Sequence, residues 1–114
     1  MKTHFLLKTG FIALTLVLLV STVQAGTKTS TGSANWGNAN TWTPSGVPSS
    51  GDDVIIAPGH MVTVNITAEC NTLTINAAAV SGGITISGTN TLSVTGAITF
   101  SGTVANAHLT FTGA

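Results

Sequence analysis

The chain has 114 residues, of which 31 are Thr or Ser, with three Lys, no Arg, three acidic residues and a formal net charge of zero. Charged residues make up 5% of it, against roughly 25% in an ordinary soluble domain. No basic surface is available for nucleic acid, and no charge excess can steer an ionic substrate.

Residues 1–25 read as a secretory signal peptide. Lys2 and Lys8 form a positive start, Phe11 to Val20 an apolar run, and Ser21 to Ala25 a polar tail with small residues. Val23 and Ala25 lie three and one positions before the expected cut, as signal peptidases require. The apolar run is ten residues long, too short for a helix of roughly 20 residues that spans a bilayer. The expectation is export to the cell surface or medium, with membrane contact only through this leader. The mature chain from Gly26 keeps Lys28, Asp52, Asp53 and Glu69, a formal net of −2. Cys70 is its single Cys, so no internal disulfide can form.

Residues 26–53 differ in character from the remainder of the mature chain. Thr27 to Ser33 reads as a flexible, hydroxyl-rich lead. A Gly- and Asn-rich segment carrying Trp36 and Trp42 comes after it and reads as an N-terminal cap. From Val54 onward one word recurs: apolar, hydroxyl, apolar, then Asn, Ser or Thr. It starts at Val62, Leu73, Ile84, Leu92, Ile98 and Leu109. Period-two alternation places the apolar residues on one face of a strand and the hydroxyls on the other. The β-branched and aromatic content suits half-buried strands, and Gly82-Gly83, Gly88, Gly96 and Gly102 read as turn punctuation.

The chain is therefore all-β. Three starts are eleven residues apart, at 62, 73 and 84, as are those at 98 and 109. Recurrence of one word at near-regular spacing predicts a β-solenoid over 54–114 whose stacked coils bury a continuous column. The alternative is an antiparallel β-sandwich, which also needs short strands every 8–12 residues. Outward Thr63, Thr74, Thr85, Thr99 and Thr110 are expected to align from coil to coil, where stacked identical charges would repel. Ala114 stands directly after a strand word, so the solenoid is expected to be incomplete at its C-terminus, the front of a longer protein.

The head carries a resemblance. Its order, Asn35-Trp36 to Trp42, Gly46-Val47-Pro48, Gly51-Asp52-Asp53-Val54 and Gly59-His60-Met61-Val62-Thr63-Val64, resembles the opening of G8 domains. It is similar also to the heads of large secreted bacterial surface proteins that continue as right-handed parallel β-helices. The likeness runs from about Trp36 to Ile75; the second half of a G8 domain, with its helix, has no clear counterpart. The resemblance implies an extracellular Gly-rich β fold found beside carbohydrate-active or adhesive modules, without catalytic residues in this segment.

Candidate sites are few. Trp36 and Trp42 are candidate ligand-binding residues, since exposed indole faces stack on sugar rings; the preferred reading is that both close the open first coil as a cap. Asp52 and Asp53 are weak calcium candidates, or caps that bind backbone N–H groups of the turn before Val54. His60, His108 and Cys70 lack zinc-ligand spacing, and His60 is expected on a turn, bonded to backbone. Cys70 is expected to be a buried small apolar residue. The Asn65-Ile66-Thr67 sequon matters only in a eukaryotic secretory pathway. The Thr72/Thr74 and Thr110/Thr112 doublets allow an ice-binding reading that Asn76, Ser87 and Ser101 interrupt. No cofactor is expected.

Together these features predict an exported, non-catalytic structural or adhesive module, with polysaccharide as its candidate partner. The alternative is the N-terminal portion of a β-helical polysaccharide lyase or glycoside hydrolase, with its active site downstream.

Overall fold

A computed structural model describes residues 25–77 and 80–112. The expected signal peptide, apart from Ala25, lies outside the described residues. The strands are β1 (Thr27–Ser30), β2 (Trp42–Thr43), β3 (Asp53–Ile56), β4 (Met61–Val64), β5 (Ala68–Cys70), β6 (Thr72–Ala77), β7 (Gly82–Ser87), β8 (Leu92–Val94), β9 (Ile98–Gly102) and β10 (Ala107–Thr112). Two 3-10 turns, η1 (Ala39–Thr41) and η2 (Val104–Asn106), complete the elements.

These strands form three sheets, ordered β2-β1-β3-β6-β9, β4-β7-β10 and β5-β8. Among the described residues, every strand pairing is parallel except that of β1 with β2. The chain visits the three sheets in turn: β3, β4 and β5 make one coil, β6, β7 and β8 the next, and β9 and β10 begin another. β1 and the parallel bridge from Asn35 to Thr63 lie before them. This is a parallel β-solenoid of about three turns. The predicted all-β class and solenoid stand, and the parallel pairings exclude the antiparallel sandwich.

The eleven-residue spacing has a different meaning from the one expected. Neighbouring words lie on different sides of the solenoid, so eleven residues do not make one coil. Val62 stacks on Ile84, 22 residues on, while Leu73 stacks on Ile98 and Ile84 on Leu109, each 25 residues on. Val54 to Leu73 is only 19. Corners of unequal length absorb the difference, which is why the sequence lacks a strict long repeat.

Side chains alternate as the words require. Inward columns run Val54–Leu73–Ile98, Ile56–Ile75–Phe100, Val62–Ile84–Leu109, Val64–Ile86–Phe111, Ala68–Leu92 and Cys70–Val94. The members in the first two coils are buried apart from Leu92 and Val94, which are half-buried against the core. Full burial of each Val, Leu or Ile is worth about 1.5–3 kcal/mol, the main stabilising term in a fold without a disulfide. The last coil is open. Ile98 is 45% exposed, Phe100 42% and Phe111 73%.

Two local readings are corrected. Thr27–Ser30, expected within a flexible lead, is a strand of the first sheet. Its inward positions are Lys28 and Ser30, so no apolar alternation marks it. Gly82 and Gly83, read as a turn, begin β7, where the backbone runs close to neighbouring carbonyls, and Gly102, read likewise, is the last residue of β9.

Candidate functional site

The Trp pair belongs to the core. Trp36 is 0% exposed and Trp42 2%. Their rings meet edge to face at 4.9 Å between centroids and 69° between planes, a favoured arrangement for aromatic pairs. Trp42 Nε1 donates to the Trp36 carbonyl at 2.9 Å. Trp36 N donates to Thr63 O and Thr63 N to Ala34 O, which ties this segment to the second sheet. On the first sheet, β2 pairs with β1 as the outermost strand. Lys28 Nζ holds the loop beyond β2 by donating to the carbonyls of Pro44 and Ser45. In this structure neither indole offers a face to a ligand, and the pair fills the first end of the core, as the cap reading expects.

Asp52 and Asp53 sit at one corner of the solenoid and diverge, as adjacent residues entering a strand must. Asp52 is buried. Its Oδ2 accepts from the Ser49 N–H at 2.8 Å and hydroxyl at 3.0 Å, and its Oδ1 from the Gly26 N–H at 3.0 Å. Asp53 Oδ1 accepts from Asn71 Nδ2 at 2.9 Å and Thr72 Oγ1 at 2.8 Å. The backbone continues this stitching: Asp53 N donates to Gly26 O, Asn71 N to Asp52 O, and Gly96 N to Asn71 O. Both carboxylates thus bind donors of the corner, which accounts for them as turn caps. Among the described residues no third acidic, imidazole or thiol group joins them in a cluster able to hold a metal.

These hydrogen bonds favour the charged forms. The Ser49 N–H holds the Asp52 carboxyl below its usual range, against the opposing effect of burial. The Thr72 hydroxyl does the same for Asp53. A carboxyl lowered on folding stabilises the fold fully above its ordinary value of 3.8, and that stability is lost as the pH falls through the folded value. The denaturant midpoint should therefore hold from neutral pH to about 5 and drop towards about pH 2.5. An Asp52→Asn/Asp53→Asn variant should start lower and show a flatter acid limb. An unchanged limb in urea titrations across that range would remove the two carboxyls as its cause.

Cys70 is buried and faces inward beside Val94. Burial first, and then the charge of Asp53, pushes its thiol up to about 11, far from a reactive thiolate. His60 stands after the turn closed by its own N–H to Ala57 O, and its Nδ1 lies 2.8 Å from Ser30 Oγ. Ser30 Oγ also accepts from the Ala57 N–H, so this pair ties the corner after β3 to β1. Sequence reading missed it, because the two residues are thirty apart and Ser30 lies in the supposed lead. His108 is exposed on β10. In the sequon, the Asn65 side-chain oxygen accepts from the Gly37 N–H.

The outer faces remain as the surface open to a partner. On the second sheet, Thr63, Thr85 and Thr110 occupy one register position on β4, β7 and β10. On the first, Thr74 aligns with Thr99 and Asn76 with Ser101. The expected hydroxyl columns are formed, at the strand spacing of roughly 4.8 Å. Ile55 interrupts the first sheet's column, between Thr29 and Thr74.

No protein-family model matches the sequence, and no match was found among curated proteins or solved structures.

Proposed function

We propose that this chain is an exported, non-catalytic β-solenoid module of a cell-surface or secreted protein, structural or adhesive in role, that contacts polysaccharide through its outer hydroxyl columns. The observation that carries the reading is the aligned column of Thr63, Thr85 and Thr110. Hydroxyls both donate and accept, as sugar hydroxyls do. They also cost less to desolvate than charges. A solenoid repeats them at a fixed interval, which suits a polymer with repeating hydroxyls. The signal-like leader and the resemblance of the head to G8 openings support the same assignment. The candidate contact thus moves from the buried Trp pair to the sheet surface.

Binding of the purified chain to an array of immobilised polysaccharides tests this. Thr63→Val/Thr85→Val/Thr110→Val keeps shape and strand preference while removing three hydroxyls. At about 1 kcal/mol per hydrogen bond, affinity should fall by a factor of about ten or more. Bound polysaccharide should keep its length, with no new reducing ends. Equal binding by the triple variant would sink the proposed contact surface, and chain cleavage would sink the non-catalytic reading.

A further inference from the structure

Among the described residues, Asp52 is a buried carboxylate whose hydrogen bonds all come from neutral donors. These are the Ser49 N–H and hydroxyl on Oδ2 and the Gly26 N–H on Oδ1 at 3.0 Å. From residue 26 onward the sole Lys or Arg is Lys28, and its Nζ is held by the carbonyls of Pro44 and Ser45. A buried carboxylate without a paired cation lacks the attraction that best offsets its loss of water. The same corner fixes the first residue of the expected mature chain. Gly26 N meets Asp52, Gly26 O accepts from the Asp53 N–H at 2.8 Å, and β1 starts at the next residue. Ala25, on the other side of the expected cut, is exposed.

We infer that removal of the leader at Ala25–Gly26 supplies the missing cation: the new α-ammonium of Gly26 pairs with Asp52 and locks the first corner of the solenoid. The inference rests on the export reading and gives the cut itself a structural role. In the cleavage, water adds its hydroxyl to the Ala25 carbonyl as the C–N bond breaks. Its remaining proton goes to the Gly26 nitrogen. A second proton, released by the new Ala25 carboxyl, makes that amine an ammonium, its main form below about pH 8. One N–H stays on Asp52 Oδ1, now joining two full charges, which is stronger than a bond from a neutral amide. An acyl group on Gly26 keeps the N–H but removes the charge. Asp52 leads directly into β3, which pairs with both β1 and β6, so the ion pair tightens the coil and not a loose end.

The test takes the protein exported by a secreting bacterial host and identifies its first residue by intact mass, where Gly26 is expected. The protein is then acetylated in urea near pH 6.5 and refolded. There the α-amine reacts ahead of Lys28, because it holds its proton less tightly. The acetyl group stands in for Ala25. At pH 7 the acetylated form should have an unfolding equilibrium constant at least about fivefold larger than the free form. In Asp52→Asn the two forms should unfold alike. Should Asp52→Asn fail to fold, pH decides. Asp52 raises the folded value of the ammonium, so the free form's advantage should be full below about pH 8 and be lost as the pH rises through that value. Asp52, Asp53 and Lys28 are the charged side chains about this nitrogen; both forms carry them, so the difference between forms reports the amine. An exported protein that begins at another residue would overturn the inference and leave export standing. Equal stability of the two forms would do the same, as would an advantage that persists in Asp52→Asn or in full at about pH 11. A chain that stays uncut inside the host would overturn the export reading, and the inference with it.

Discussion

Trp42→Ala should lower the unfolding free energy by about 3–5 kcal/mol, the range for a buried aromatic cut back to a methyl group. The loss should fall on the whole solenoid, because Trp36 and Trp42 share one core cluster with Val54, Ile56, Val62 and Val64. Two conservative variants separate packing from hydrogen bonding. Trp42→Phe keeps much of the ring but leaves the Trp36 carbonyl without its donor, at a cost of about 1–3 kcal/mol. Trp36→Phe removes an indole N–H that is buried with no hydrogen-bond partner among the described residues, and should cost clearly less than Trp42→Phe. Urea unfolding of the three variants gives the order directly. A Trp42→Ala chain as stable as the wild type would mean that the pair is no cap, and would restore it as a candidate sugar platform.

That ambiguity shows what was legible in the sequence. Each word marks a strand with its inward and outward positions, because period two is local and needs only neighbours. Cys70, expected to be a buried small apolar residue, is buried on β5, a strand that carries no such word and was not read from the sequence. Strand order is not local. The words at 62, 73 and 84 are equally spaced, yet 62 and 84 stack while 73 lies on another side. Only the corners separate the cases. Asn71 alone joins β5 to β6, whereas four residues, 88–91, join β7 to β8. Both corners are built from ordinary turn residues, so composition does not say how many strands complete a coil.

β1 escaped notice because its inward Lys28 and Ser30 are polar. Each has a partner remote in sequence, Pro44 and Ser45 for Lys28 and His60 for Ser30. The Gly-Asp-Asp turn was legible because its capping bonds depend on residue type and position. For the Trp pair, composition was compatible with cap or platform, and burial separates them.

Gly83→Ala should cost on the order of 3 kcal/mol, with the damage confined to one end of the molecule. A Cβ at Gly83 would run into the backbone carbonyl of His108, its register partner on β10. Backbone cannot swing aside as a long side chain can, so β10 must move away from β7. Its pairing from Ala107 to Thr112 along Gly82 to Ser87 is what it stands to lose. Hydrogen exchange should then show β10 amides losing protection while those of β3, β4 and β6 keep theirs.

Gly88→Ala is the matched control. Gly88 has a φ of +63° and nothing within 4 Å of an added Cβ, so its cost is conformational, about 1 kcal/mol, and leaves β10 in place. Equal protection of β10 in wild type and Gly83→Ala would show that the close approach is not a constraint.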